Sequence, residues 1–283
     1  MVRRLIPAAV LVFALAVSGV PWGCGRPSRS ARVGGWQQVA APPAGSAPSP
    51  GSVSAPGAGA EPPGFWGDAP TLPAVTPTVV FHGPRDARQI ALTFDACETE
   101  KPAGYDADIV RVLKAMRTPA TLFLGGKWME SHPEVTRALA QGPLFELGNH
   151  SYIHPHLTKV SAERVRDEIK RTQDVMYALT GRQGRLFRAP FGEYNDAVLR
   201  TAGALGLTVI QWDVVSGDPD RNITASRLVS GVLAKAQNGS IVIMHVNGRG
   251  WHTAEALPTL ISRLRARGYR FVTVSQLLQG ENG

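Results

Sequence analysis

Residues 89–124 read QIALTFDACETEKPAGYDADIVRVLKAMRTPATLFL, and three periodicities succeed one another within them. Gln89 to Phe94 is a short apolar run of the kind that forms a buried strand. Ile109, Val112, Leu113 and Met116 then fall at i, i+3, i+4 and i+7, which is one face of a helix. Ala120 to Leu124 is a second apolar run. A strand, a helix and a strand in this order form a βαβ unit, whose strands run parallel.

The alternation continues to the end of the chain. Helices are expected over Pro133 to Gln141, from Ser161 onward through Val165, Ile169, Thr172, Met176 and Leu179, and over Asp196 to Leu205 and Ala225 to Ala236. A last long helix carries Leu257, Leu260, Ile261 and Leu264 on one face. Strands are expected at Leu144 to Leu147, Leu186 to Arg188, Thr208 to Trp212, Ile241 to Met244 and Arg270 to Val274. About seven βα units in roughly 205 residues predict an α/β fold, an incomplete or distorted (β/α) barrel rather than an open sheet.

The rest of the 283 residues lies N-terminal to this domain. Arg3 and Arg4 precede an uncharged apolar stretch from Leu5 to Val20, and small residues lead to Gly23 and Cys24. That is the layout of a secretory signal, assigned to residues 1–24. Cys24 is a candidate for lipid attachment, and an uncleaved anchor is the alternative reading. Residues 25–78 are a linker: from Gln37 to Ala60, 20 of 24 residues are Ala, Pro, Gly or Ser and none is charged. Such a stretch cannot bury enough apolar surface to offset its ordering entropy. Residues 79–283 remain as one catalytic domain, expected to act as a monomer outside the cytoplasm, in the cell envelope or secreted. The membrane enters only through the signal segment or a lipid on Cys24.

Composition excludes several classes. Thirty Lys and Arg against 22 Asp and Glu give a net charge of +8. Part of that excess sits at Arg3, Arg4, Arg26, Arg29 and Arg32, ahead of the fold. No run of adjacent basic residues interleaved with aromatics is present, so no nucleic-acid partner is expected. Two cysteines rule out a disulfide framework and a four-cysteine zinc module.

Polar residues punctuate the ends of the strands. Asp95, His150, Arg188, Asp213 and His245 each stand at or just beyond the C-terminal end of an expected strand, and in a βα barrel those ends converge on the face where chemistry is done. His150 and His154 are spaced as His-x-x-x-His, which on a helical turn sets both imidazoles on one face to grip one divalent ion. Asn149-His150-Ser151 also matches a glycosylation pattern, read as coincidence, and Thr224 in a second match is read as a helix N-cap.

Thr93-Phe94-Asp95, His150-Ser151-x-x-His154-Pro155, Arg188-Ala189-Pro190-Phe191-Gly192 and Ile243-Met244-His245 follow the order and spacing of a known family. From about residue 88 to 278 the chain resembles the polysaccharide deacetylases of the NodB-homology type, carbohydrate esterase family 4. The resemblance implies an incomplete (β/α) barrel, a divalent metal that is usually zinc, and hydrolysis of N-acetyl, sometimes O-acetyl, groups of a polysaccharide by metal-activated water. It implies further that Asp95 is the general base, His150 and His154 are metal ligands, Arg188 orients the base, and His245 is the general acid. The backbone near Phe191 would help hold the oxyanion. Phe191, Trp212, Asp218 and Trp251 are the candidate substrate contacts.

Two departures from the family pattern stand out. Where the family has a second aspartate as metal ligand, this chain has Ala96. Glu98, Asp95 itself, Cys97 or a water could take that place, with Glu98 and Asp95 ranked ahead of Cys97. Alternation along the strand sets Cys97 on the side of Asp95 and Glu98 on the side of Ala96. After Trp212, Val215 occupies the place of an expected aspartate, which leaves Asp213 or, matching better, Asp218 to tune the catalytic histidine. The leading expectation is an exported metal-dependent polysaccharide deacetylase. A degenerate member that only binds glycans, and an amidohydrolase of a small non-sugar amide, are the alternatives.

Overall fold

A computed structural model describes residues 79–99 and 101–280. The expected signal segment, the linker and Cys24 lie outside the described residues.

Among the described residues nine strands form one sheet: β1 (Val79–Val80), β2 (Gln89–Ala96), β3 (Ala120–Leu124), β4 (Phe145–Asn149), β5 (Leu186–Phe187), β6 (Thr208–Ile210), β7 (Val214–Val215), β8 (Ser240–His245) and β9 (Arg270–Phe271). Their spatial order is β1-β6-β5-β4-β3-β2-β8-β7, with β9 beside β2, and every paired ladder is parallel. The path ends at β1 and β7, which do not pair with each other, so the barrel is incomplete. β2 is buried along all eight residues, as a strand covered on both faces must be, and this is why it reads as a continuous apolar run rather than an alternating one.

The helices are α1 (Ala107–Ala115), α2 (Gly126–Ser131), α3 (Pro133–Ala140), α4 (Ala162–Thr180), α5 (Asp196–Ala204), α6 (Ala225–Lys235), α7 (Thr253–Ala266) and α8 (Val274–Gln279). Five of these starts, those of α1, α4, α5, α6 and α8, are fixed by side-chain caps that accept orphaned backbone N–H groups. Asp106, Ser161, Asn195 and Thr224 cap α1, α4, α5 and α6, so Thr224 is an N-cap as its sequence context indicates. The stripe read on the long helix holds: Val165, Ile169, Thr172 and Met176 are buried on α4, and Leu257, Leu260, Ile261 and Leu264 on α7. No helix among the described residues is long and apolar enough to cross a membrane.

Several elements differ from expectation. β1, β7 and α2 are too short to show a period. The strand expected at Arg270 to Val274 stops at Phe271, because Thr273 and Gln276 form a reciprocal capping box that starts α8. The segment from His150 to His154 is not a helical turn. Ser151 and His154 both have positive φ, 62° and 59°, which breaks a right-handed turn. The loop is held instead by its neighbours: Ser151 donates its backbone N–H to Asn149 Oδ1, while Tyr152 and Ile153 donate theirs to Glu168 Oε2 of α4 at 2.8 and 2.9 Å. Asn149 is buried, and its amide donates to Ile169 O and Gln173 Oε1, so it is a structural residue and no sugar acceptor.

Candidate metal and catalytic site

The C-terminal ends of the strands surround a cleft of about 230 Å³ lined by Asp95, Cys97, His150, His154, Phe191, Trp212, Val215, Asp218, His245 and Arg249, among others. Asp95 on β2 and His245 on β8 are direct partners across the parallel ladder. The pairing of these two strands therefore sets the two expected proton carriers side by side on one rim.

Arg188 lies beneath the cleft, fully buried. Its guanidinium donates to Asp95 Oδ1 at 2.7 Å and Thr93 Oγ1 at 2.9 Å, reaches the carbonyls of Ile210 and Gln211, and stacks over Phe123 at 4.1 Å. Burial alone would raise the pKa of Asp95, but the charge and hydrogen bond of Arg188, helped by the neighbouring histidines, outweigh it and hold the carboxyl below its ordinary value. Asp95 is thus kept as an anion, the form a base requires.

His150 Nδ1 lies 2.8 Å from Arg188 O, and since a carbonyl only accepts, Nδ1 carries the proton. The Nε2 lone pair is left free, 3.6 Å from Asp95 Oδ2. A backbone carbonyl fixing the tautomer of a ligating imidazole is a recurrent support for metal sites. Burial pushes the pKa of His150 down, and burial together with the neighbouring His150 brings that of His154 to about 3, so both rings are neutral and able to ligate at neutral pH. The ring of His154 meets the edge of Phe191 at 4.5 Å, and Phe191, at φ 58° and half exposed, lies flat on His156 at 4.1 Å.

Cys97 completes a cluster with these two histidines. Its Sγ and one nitrogen of each ring lie within 4.8 Å of one another, the one group of three or more potential ligands found among the described residues. Sulfur with two imidazole nitrogens is a donor set that suits a borderline-soft divalent ion, so the residues present fit the metal that the fold family implies. Burial and the charge of Asp95 push the Cys97 thiol up to about 11, and a bound cation reverses that order by deprotonating a coordinating thiol.

Glu98, ranked ahead of Cys97 on sequence, is outside this cluster and outside the cleft lining. It lies two residues past the end of β2, its Oε1 faces Lys127 Nζ at 3.8 Å, and its buried Oε2 has no hydrogen-bond partner among the described residues. Asp218 is buried and accepts from His245 Nδ1 at 2.9 Å, from the His245 backbone N–H at 2.7 Å and from Thr253 Oγ1 at 3.0 Å. It orients the histidine, while Asp213, the other aspartate weighed for that role, is engaged by Arg85 and by the start of β8. Burial lowers the pKa of His245, yet the hydrogen bond and charge of Asp218, helped by Asp95, more than reverse this and leave it above the ordinary value. Trp212 and Phe191 line the cleft; Trp251 does not, and instead sits beside it, donating its backbone N–H to Asp218 O under the guanidinium of Arg221. Gly250 in the same loop has no room for a side chain, since a Cβ would stand 2.4 Å from His245 O. Arg249 is exposed and lines the cleft, where its charge is felt by Cys97, His154 and His245. It lies in the glycine-rich loop after His245, and its residue type alone did not separate it from its neighbours there.

The polysaccharide deacetylase family model matches residues 82–210. The chain is 30% identical over 203 residues to a peptidoglycan-N-acetylglucosamine deacetylase of Bacillus cereus, covering 70% of this chain and 71% of that one. It is 30% identical over 202 residues to the peptidoglycan-N-acetylmuramic acid deacetylase PdaA of Bacillus subtilis, covering 70% and 74%. Among solved structures it matches a carbohydrate esterase family 4 pseudoenzyme from Bacillus anthracis with a TM-score of 0.65 at 28% identity, covering 72% of this chain and 69% of that chain. A mutant of that pseudoenzyme is described as having restored enzymatic activity. With the fold, the strand-end constellation and these likenesses agreeing, the chain belongs to the polysaccharide deacetylases of carbohydrate esterase family 4, hydrolases of the acetyl amide bonds of glycans.

Proposed function

We propose that this protein is an exported, zinc-dependent deacetylase that removes N-acetyl groups from a cell-wall glycan. The observation that carries the reading is a pair of supported proton carriers on adjacent strands: Asp95 held by Arg188, and His245 held by Asp218, with His150 and His154 beside them. The signal-like residues 1–24 and the peptidoglycan named for both curated relatives support action outside the cytoplasm.

His150, His154 and a third donor from the end of β2 would hold the ion, and when bound it supplies Lewis acidity, lowering the pKa of a water and polarising the acetyl carbonyl. Asp95, kept ionised by Arg188, takes the proton of the attacking water at its carboxylate. His245 is bound through Nδ1 to Asp218, so Nε2 is the atom that delivers a proton to the departing sugar nitrogen. Asp218 stabilises the imidazolium that waits to do this. An acid is needed because an amide nitrogen leaves poorly as an anion. Phe191 and Trp212 give the sugar apolar faces to rest on.

His150→Ala is the direct test, read as metal content and as acetate released from N-acetylglucosamine oligomers. Both are expected to fall to background; unchanged values for both would sink the assignment. The acid also leaves a signature in pH. His245 works protonated, so the rate falls as pH rises through its pKa, which Asp218 holds above the ordinary histidine value. Asp218→Asn is therefore expected to move the alkaline limb of the kcat/KM profile to lower pH, and a limb that stays in place would remove His245 from the acid's role.

A second reading is favoured by two observations, Ala96 and the likeness to a pseudoenzyme: a protein that binds glycan without turning it over. It predicts purified protein that retains glycan, carries no metal and releases no acetate on addition of zinc or cobalt. The two intact proton carriers speak for turnover.

A further inference from the structure

We propose that Cys97 supplies the anionic ligand of the metal centre as a thiolate, taking over one residue later the role that Ala96 cannot fill. The proposal rests on the reading of this cleft as a metal-dependent site, and it replaces the carboxylate expected there with sulfur.

The backbone leaves few other choices. Ala96 is fully buried, pairs with Leu124 within the sheet, and has no donor atom. β2 ends at Ala96, so residues 97 and 98, just past it, are the ones free to turn into the cleft. Cys97 does so: it lines the cleft, and its sulfur falls among the ring nitrogens of His150 and His154. Glu98 points its carboxylate toward Lys127. Asp95 is committed through Oδ1 to Arg188 at 2.7 Å and lies outside the three-ligand cluster.

The sulfur is also supported from behind. Asn247, buried on the loop after β8, donates its amide N–H to Cys97 O at 2.9 Å and approaches Sγ at 3.6 Å. The first contact fixes the backbone at the ligand, and the second places a donor beside the thiolate. This is the arrangement by which neighbouring groups orient a metal ligand. The charge balance is preserved, because a thiolate brings the single negative charge that an aspartate would bring to two neutral imidazoles. The softness of the site is not preserved. A sulfur donor favours zinc and cobalt over magnesium, calcium and manganese, which prefer all-oxygen surroundings.

The test uses the full chain carrying Cys24→Ser, so that Cys97 is its single cysteine. The protein is stripped of metal and titrated with Co²⁺ alone. A thiolate ligand gives an intense sulfur-to-cobalt charge-transfer band in the near ultraviolet, with one band per bound ion. Cys97→Ser is expected to abolish that band and weaken cobalt binding by at least tenfold, whereas Glu98→Gln is expected to keep both. Cobalt bound at full stoichiometry without the band, or a Cys97→Ser variant with unchanged affinity, would overturn the sulfur ligand. If acetate is still released in that case, the deacetylase reading stands without it. A chain that binds no cobalt and releases no acetate would overturn both. The band is read on the unsubstituted cysteine, so the result does not depend on whether Cys97→Ser folds.

Discussion

Asp95→Asn is expected to lower kcat/KM for N-acetylglucosamine oligomers by about 10³-fold, through kcat, with metal content retained. Positioned acid–base groups contribute about 10² to 10⁴ in rate, and this carboxylate has been tuned for one direction of proton transfer. Arg188 holds it ionised from one side, and His150 Nε2 lies 3.6 Å away on the other. Asparagine keeps the shape but has no site for the proton. The variant also leaves the buried charge of Arg188 without its counter-charge, so it is to be assayed well below its melting temperature. A variant with unaltered kcat and full metal occupancy would mean that the base is another group.

The largest effect on stability is expected at Arg188. It is fully buried, bound to Asp95, Thr93 and two backbone carbonyls, and packed on Phe123, with Trp212 5.4 Å away. Arg188→Met fills similar volume but strands Asp95 as an uncompensated buried carboxylate. Removing one partner of a buried ion pair costs about 3–5 kcal/mol. Denaturant titration should show a midpoint lowered accordingly, and Asp95 should become easier to protonate. A double variant, Asp95→Asn with Arg188→Met, should recover part of the loss, because no lone charge then remains in the interior. A single variant as stable as the parent would mean that the pair is screened far more than its burial implies.

Much of the fold was legible because a parallel sheet covered on both sides writes itself as apolar runs separated by helical stripes. Asp95, His150, Arg188 and His245 were legible for a related reason, since they stand where those runs stop. The candidate for a third ligand was harder to read. Alternation ranked Glu98 ahead, since it shares the side of Ala96, and set Cys97 on the side of Asp95. In space Cys97 lines the cleft, while Glu98 lies outside its lining with Oε1 3.8 Å from Lys127 Nζ. The His-x-x-x-His spacing pointed to two rings that do lie together, 4.9 Å between centroids, but through another conformation. Two positive φ values and the carboxylate of Glu168, 14 residues downstream of His154, bring the rings together. Such long-range support leaves no local pattern. The role of Asp218 was likewise a matter of reach: sequence offered two aspartates, and the ion pair between Arg85 and Asp213 removes one of them.

The missing closure between β1 and β7 bears on how a polymer is handled. In this sheet the last strand is an edge, and Val215 at its tip is half exposed within the cleft. On the proposed reading, a glycan gripped at one sugar would lie across the face formed by the strand ends, with Val215 beside it, and its interior acetyl groups would be as accessible as those at a chain end.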